Sequence, residues 1–316
     1  EMAKVKSKFL EGANKLGIVS ADQAEQIFGW IEKSQRYSFN KSHSVSYAIN
    51  AYLSAYAKAH FPKIFFASYL RFAKDKIDPQ AEIKELVQNA NEMNITIHTP
   101  DIRNKNEFFI LKDNTIYFGL TDIKGVGQSV FEKLMGIAQE LDFNKLSWLQ
   151  FLFLVLHKIN STAAKALIQS GALSFIPMTR NKMLFEYSLI SGLTKKEMEH
   201  ITKDLDNIKD LKQGLGLLLT IPRINKNRKA HIQDIWYSLN SPPYSLDDTA
   251  EWIADSEDTL LGCSITCSKL DMYDISMTNI TCRELKNTVS KDNLILGGEI
   301  DFINVTKTKT GKNPGA

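Results

Sequence analysis

Two glycines separated by a single apolar residue, Gly125 and Gly127, place the strongest constraint on how this chain can fold. A segment from residue 119 that reads as a short helix precedes them, and a helix predicted over 128–141 follows. Glycine accepts the backbone angles of a tight turn, and the apolar Val126 can anchor that turn in a core. The pattern predicts two helices joined by a glycine hairpin. An ordinary helix end with a glycine cap is the alternative.

The chemistry of such a hairpin suits a phosphate. The second helix starts with backbone amides that lack partners within the helix and lie at the positive end of its dipole. Lys124 adds a charge and Ser129 a hydroxyl. Contacts of this kind hold a sugar-phosphate backbone without reading bases. The sequence therefore predicts a duplex-DNA contact made by Lys124, Gly125, Val126, Gly127 and Ser129.

Composition narrows the class of protein only slightly. With 316 residues the chain exceeds what one core usually serves, so we expect two or more domains. The hydrophobic content of 43% and charged content of 24% are ordinary for a globular protein. Because the net charge is only +3, any contact with DNA must come from the local placement of cations.

Cysteines and apolar runs favour a cytoplasmic location. The three cysteines, Cys263, Cys267 and Cys282, form no CxxC pair, so buried or idle thiols in a reduced protein are favoured over a zinc site. The apolar runs 151–156 and 215–221 are too short to span a bilayer, and we recognise no signal peptide. Glu1 lies inside a predicted helix, so we expect a piece of a longer protein.

The segment 35–60 joins a polar cluster to a helix with a distinctive face. The cluster combines aromatic rings, an amide, an ammonium, a hydroxyl and an imidazole on Tyr37, Phe39, Asn40, Lys41, Ser42 and His43. From Tyr47 to Ala59, tyrosines and alanines recur three and four residues apart, which predicts one inner, buried helix face. We expect a pocket for a charged, flat ligand there. The alternative is a simple cap, with Ser42 or Ser44 at the N-cap.

The order of these residues resembles a known family. Phe39-Asn-Lys-Ser-His-Ser44, with Ser46-Tyr-Ala48 and Lys58-Ala-His-Phe-Pro62, is similar to the fingers of bacterial replicative C-family DNA polymerases, the DNA polymerase III alpha subunits. The resemblance implies that this stretch faces the incoming nucleotide. Lys41 and His43 would lie near its triphosphate, with Ser42 beside them, while Tyr37, Phe39 and Asn40 would shape the base-pair pocket. Ser38 departs from the family's glycine.

The same resemblance implies a second hairpin. Gln169-Ser-Gly-Ala-Leu173 is similar to a Ser-Gly-Ala-Phe segment in the family, where it forms the degenerate copy of a tandem helix-hairpin-helix. Thr179-Arg-Asn-Lys182 also fits the family pattern before the next helix. Two such hairpins would straddle a duplex minor groove, one on each strand. Gly171 is therefore expected to contact DNA.

Further along, the resemblance implies a docking peptide for the sliding clamp. Gln233, Trp236 and Tyr237 have the order of the family's short clamp-binding peptide, ideally Gln-x-x-Leu-Phe. A buried Trp236 that anchors the next subdomain is the alternative. The basic stretch 222–231 reads as a solvated linker, with a phosphate-contacting loop as the other possibility.

The predicted fold is mainly α with small β elements: fingers helices, a tandem helix-hairpin-helix, and the start of an OB barrel in the strand-like segment after residue 290. The predicted domains are 1–118 for the late fingers, 119–220 for the tandem hairpins, 221–290 for the clamp-binding and connecting region, and 291–316 for the first OB strands.

The function implied is a part of a DNA-directed DNA polymerase, with primer-template DNA, deoxynucleoside triphosphates, a sliding clamp and a palm-bearing remainder as partners. The complete enzyme would use Mg²⁺. The one Asp-x-Asp here, Asp204 and Asp206, lies in a helical stretch, so we expect no catalytic residues, no metal ligands and no activity of this chain alone. Alternatives are a non-catalytic module that binds duplex DNA or the clamp, and a repair nuclease or glycosylase, which ranks last.

Overall fold

The computed structural model describes residues 2–35, 41–222, 224–285, 293–298 and 300. The backbone divides into two compact units, residues 1–62 and 63–316, which are described separately. The described part is mostly helical and includes a small three-stranded sheet, so the predicted fold class is confirmed. Among the described residues, no helix is both long enough and apolar enough to cross a membrane.

The first unit contains α1 (Met2–Leu16), α2 (Ala21–Gln35) and α3 (Lys41–His60). The Phe9 and Phe28 rings join α1 to α2 with centroids 5.5 Å apart. Ser20 starts α2, because its hydroxyl accepts from the Gln23 amide while the Gln23 side chain accepts from the Ser20 amide. The sequence Ser20-Ala-Asp-Gln predicts such a capped start.

Helix α3 differs from its prediction in burial. None of its residues is buried, and Tyr47, Tyr52 and Tyr56 are 65%, 67% and 46% exposed. The predicted inner, buried face is therefore wrong in this structure. The three-four spacing does place the tyrosines on one side, but spacing alone cannot determine whether a neighbour covers that side. The helix also begins at Lys41, so neither Ser42 nor Ser44 is its N-cap.

The remaining helices are α4 (Pro62–Arg71), α5 (Pro79–Glu92), α6 (Gln128–Glu140), α7 (Trp148–Gln150), α8 (Ser161–Gln169), α9 (Arg180–Ile190), α10 (Lys195–Lys203), α11 (Leu211–Leu219), α12 (Lys226–Asn240), α13 (Ala250–Leu261) and α14 (Cys282–Leu285). A π-helical turn, Phe151–Val155, extends α7. Buried apolar side chains from Phe66 to Cys263 form one continuous core in the second unit. The predicted domain boundaries within it stay predictions.

The sheet lies before the glycine hairpin. Its strands are β1 (Ile97–His98), β2 (Ile110–Lys112) and β3 (Thr115–Tyr117), in the order β1-β3-β2. Apolar runs over 108–111 and 115–118, with a polar turn over 112–114, predict a β-hairpin. Strands β2 and β3 do pair antiparallel, while β1 runs parallel to β3. The turn residues Asp113 and Asn114 both have positive φ, the conformation that a two-residue hairpin loop favours.

The predicted OB strands fall largely outside the described residues. Residues 291, 292, 299 and 301–316 are not among those described. In the described part, Leu296 makes an isolated parallel bridge to Ile280. The predicted OB start stays a prediction.

A buried ion pair connects the segment 169–173, here called the second glycine segment, to α13. Arg180 Nη2 lies 2.9 Å from Glu257 Oε1, and the two side chains are 6% and 0% exposed. Glu257 also accepts from the amides of Ile265 and Thr266, while Arg180 Nη1 donates to the Gln169 carbonyl. Because both charges have hydrogen-bond partners, the pair can be held away from water.

Replacing Arg180 with Met should lower the free energy of unfolding by about 3–5 kcal/mol, because it leaves the buried Glu257 carboxylate without its cation. Urea denaturation followed by circular dichroism would measure this. Lys145→Met is the matched control, since Lys145 is 83% exposed and pairs with the exposed Asp142, and it should leave the midpoint unchanged. Equal midpoints for both variants would contradict the structural role assigned to Arg180.

Candidate nucleic-acid interface

The first glycine hairpin has the geometry that the sequence predicts. A 3-10 turn, Leu120–Asp122, leads into it, and α6 follows with Gly127 at its N-cap. The Val126 amide donates to the Ile123 carbonyl at 3.0 Å and closes the turn. Gly125 has φ +95°, which a residue with a side chain rarely adopts.

Burial alternates along this hairpin. Val126 is 2% exposed and Ile123 1%, so the turn is anchored in the core. In contrast Lys124, Gly125, Gly127 and residues 128–129 are all exposed. The hairpin thus buries its apolar side chains and presents its glycine backbone to solvent.

The first amides of α6 are available to a ligand. Gly127 contributes its carbonyl to the helix, accepting from the Val130 and Phe131 amides. Within the described part of the chain, the amides of Gly127, Gln128 and Ser129 have no acceptor. These three donors, at the positive end of the α6 dipole and next to the exposed Lys124, form a site suited to an anionic oxygen.

The rest of the fold holds the hairpin backbone in position. The Lys124 amide donates to the Leu260 carbonyl near the end of α13 at 2.9 Å. A Cβ on Gly125 would lie 3.3 Å from Thr162 Cγ2 on α8. Because two helices distant in sequence contact the turn, its shape depends on the tertiary fold as well as on its own glycines. No local sequence signal indicates either contact.

Asp122 supports the entry to the hairpin from inside. Its Oδ2 accepts from the Gly119 amide at 3.0 Å. Burial raises the pKa of this carboxyl to about 6, although the Gly119 amide and the Lys74 ammonium favour its charged form. The side chain therefore acts as a backbone acceptor that is costly to ionise.

A cleft of about 460 Å³ lies beside the hairpin. The start of α5 and the segment from Thr121 to Gly127 line it, and two ammonium groups, Lys74 and Lys124, border it. Lys74 Nζ also lies 3.4 Å from the centroid of the Phe108 ring. No pattern in the sequence indicates Lys74 as part of this site, because Lys74 comes from a turn some fifty residues away that only the fold brings to the hairpin.

The second glycine segment is built differently, and the burial of Gly171 does not favour the DNA contact predicted there, which stays a prediction. Gly171 has the left-handed backbone expected of a hairpin glycine, φ +83°, but it is buried. A Cβ at this position would lie 2.6 Å from Arg180 Nη2. The Arg180 guanidinium covers the segment and donates to the Gln169 carbonyl, so the Gly171 backbone is shielded from solvent.

Part of the predicted nucleotide cluster can be located. Lys41, Ser42 and His43 form the first turn of α3 and are all exposed. The His43 ring lies against Tyr47, with centroids 4.4 Å apart and ring planes tilted by 54°. Tyr37, Phe39 and Asn40 lie outside the described residues. The structure therefore brings together the cationic half of the cluster at one helix end.

The predicted clamp-binding residues lie within a helix. Gln233, Trp236 and Tyr237 belong to α12. Trp236 is half-buried under Lys212 Nζ, 4.9 Å from the ring centroid, whereas Tyr237 is 64% exposed. An extended docking peptide would require this helix to unwind. The arrangement favours the alternative, in which Trp236 is a packing residue.

The basic stretch 222–231 runs into α12 and is helical from Lys226 onward, so the predicted solvated linker is wrong over 226–231. Arg228 pairs with Glu197 at 2.6 Å and donates to the Gly192 carbonyl. This ion pair raises the pKa of Arg228 and lowers that of Glu197 despite its partial burial. Arg228 is thereby committed to an internal contact. Arg223 lies outside the described residues.

The residues that the structure describes do not fit a catalytic metal site. Among the described residues, no group of three or more His, Cys, Asp or Glu side chains could hold a metal ion. Asp204 ends α10, and Asp206, in the next 3-10 turn, accepts a hydrogen bond from Gln150.

A family model for the helix-hairpin-helix motif matches residues 94–183. The match covers the sheet, both glycine segments, and the helices between them. It agrees with the geometry of the first hairpin, whose turn and exposed helix start are described above.

Curated proteins named DNA polymerase III subunit alpha match much more of the chain. The Aquifex aeolicus protein is 30% identical over 83% of this chain and 22% of its own length. The Buchnera aphidicola protein is 30% identical over 99% of this chain and 25% of its own length, and the Pseudomonas aeruginosa protein 38% over 55% and 14%. The matched part of this chain thus spans at most about a quarter of the length of these relatives. It belongs to the family of DNA polymerase III alpha subunits.

Proposed function

We propose that this chain is a part of a replicative DNA-directed DNA polymerase and that its first hairpin holds the duplex during synthesis. One observation carries the proposal: the exposed amides of Gly127, Gln128 and Ser129 stand beside Lys124 on a turn that Val126 anchors in the core. The relatives' name and the helix-hairpin-helix match support the same function.

The hairpin would hold DNA through one phosphate. The α6 amides donate to its oxygens, the Lys124 ammonium neutralises its charge, and the Ser129 hydroxyl offers a further donor. Amides and an ammonium contact the backbone and leave base edges unread, so the grip would be independent of sequence. A polymerase that must move along any template needs this property.

Nucleotide contact is proposed for the start of α3. Lys41 and His43 can meet the negative charge of a triphosphate, and Ser42 adds a hydroxyl. Tyr37, Phe39 and Asn40 are proposed to complete this site next to the base pair. We propose that a palm-bearing part of the polymerase supplies the Mg²⁺ ligands and the primer end. A sliding clamp stays a proposed partner through the exposed Tyr237.

The alternative is a non-catalytic module that binds duplex DNA, in which only the hairpin would matter. The two functions differ at α3. A DNA-binding module has no use for the exposed Lys41 and His43, whereas a polymerase needs them for the nucleotide.

Removing the Lys124 ammonium should weaken duplex binding and reduce its salt dependence. With Lys124→Ala, the slope of log affinity against log salt concentration should fall in magnitude by about 0.9, the value for one phosphate contact. Fluorescence anisotropy of a labelled duplex across a salt series would measure it.

The matched control is Lys133→Ala, since Lys133 is exposed on α6 but lies beyond its first turn. This variant should keep the slope of the unaltered chain. If the two variants give the same slope, the first hairpin does not contact the backbone through Lys124.

The nucleotide proposal is tested in an assembly of this chain with a palm-bearing polymerase part. Lys41→Ala and His43→Ala should each weaken the binding of a deoxynucleoside triphosphate, because each removes a donor to its phosphates. Equilibrium binding of a fluorescent nucleotide would measure this, with Ser54→Ala on α3 as the control. Unchanged affinity in both variants, with duplex binding intact, would favour the non-catalytic module.

A further inference from the structure

A groove of about 510 Å³ lies between the π-helical turn and α10, in the second unit and away from the first hairpin's residues. The turn Phe151–Val155 is wider than an α-helical turn, and the Leu156 amide is shared between the carbonyls of Phe151 and Leu152. Single π turns of this kind occur often at functional sites. The volume is within the usual range for ligand pockets.

The groove has an apolar floor. Phe153 and Met198 are 3% and 6% exposed, so both are part of the core, and the half-buried Leu154 continues this floor toward solvent. An apolar surface bordered by polar residues is the common form of a protein-binding groove.

Three lysines border this floor. Lys158 follows the π turn, and Lys195 and Lys203 lie at opposite ends of α10, all three exposed. The acidic residue in the groove, Glu199, already faces Lys195 at 3.9 Å. His157 also lines the groove, and partial burial lowers its pKa, so it adds little positive charge near neutral pH. The border of the groove is therefore basic.

We propose that this groove, formed by Phe153, Leu154, Lys158, Lys195, Met198 and Lys203, docks an acidic amphipathic segment of a partner protein. Leucine or phenylalanine side chains of that segment would cover the apolar floor, while its Asp and Glu residues would face the lysines. The charge of the border selects an acidic partner. The floor selects a protein over a nucleic acid, because a sugar-phosphate backbone has no large apolar side chain to cover it.

The test uses the full chain and a fluorescein-labelled probe, an acidic peptide that carries Leu and Phe at helical spacing between Asp and Glu. Fluorescence anisotropy should show binding that weakens as salt rises. The double variant Lys158→Glu/Lys203→Glu should lose about tenfold or more in affinity, because it reverses two of the three border charges. Lys196→Glu, exposed on the same helix but outside the groove, should bind as the unaltered chain does.

Thermal melting would show whether the double variant folds. Two further probes test the groove on the unaltered chain and do not depend on that variant. A probe with Ser in place of Leu and Phe, and one with Gln and Asn in place of the acidic residues, should each bind the unaltered chain about tenfold more weakly. Lys124→Ala should leave peptide binding unchanged.

If the Ser-substituted probe binds as tightly as the probe with Leu and Phe, the proposal is overturned, because charge alone would then explain the binding. A second result would also overturn the proposal: a duplex oligonucleotide displaces the peptide from the Lys124→Ala chain, and binding of that duplex requires Lys158 and Lys203. The groove would then be a nucleic-acid surface.

Discussion

The burial of one valine determines how the first hairpin is presented. Val126 is 2% exposed, and its side chain can enter the core only if the glycines on either side turn outward. That arrangement exposes the start of α6, whose first amides have no acceptor in the described part of the chain. The apolar contact and the polar site are therefore consequences of the same turn. A change that loosens Val126 would also displace the amides proposed to bind phosphate.

The second glycine segment shows the opposite solution to a similar sequence. Gly171 adopts a left-handed conformation like that of Gly125, yet Arg180 covers it and pairs with the buried Glu257. The charge that could have faced solvent is used inside the protein. Because the pair joins this segment to α13, and Leu260 on α13 accepts from the Lys124 amide, the second segment helps to position the first. We propose that the first hairpin contacts DNA and that the second segment supports it.

Local patterns in the sequence predicted the elements well. The glycine hairpin, the Ser20 cap and the β2–β3 turn were all predicted, because each depends on residues within a few positions of one another. Predictions that depended on distant neighbours were less successful. The tyrosine face of α3 is exposed, Gly171 is covered by Arg180, and Lys74 reaches the hairpin cleft without any sequence signal. Burial and charge pairing are tertiary properties, so spacing alone could not supply them.

The most direct test of this account follows the backbone amides themselves. In a heteronuclear NMR titration of the chain with duplex DNA, the amide signals of Gly127, Gln128 and Ser129 should shift most, and that of Gly171 should stay in place. This result is expected because the first three donors face solvent and Gly171 is buried. A titration in which Gly171 shifts while the three α6 amides do not would contradict the assignment of the two segments.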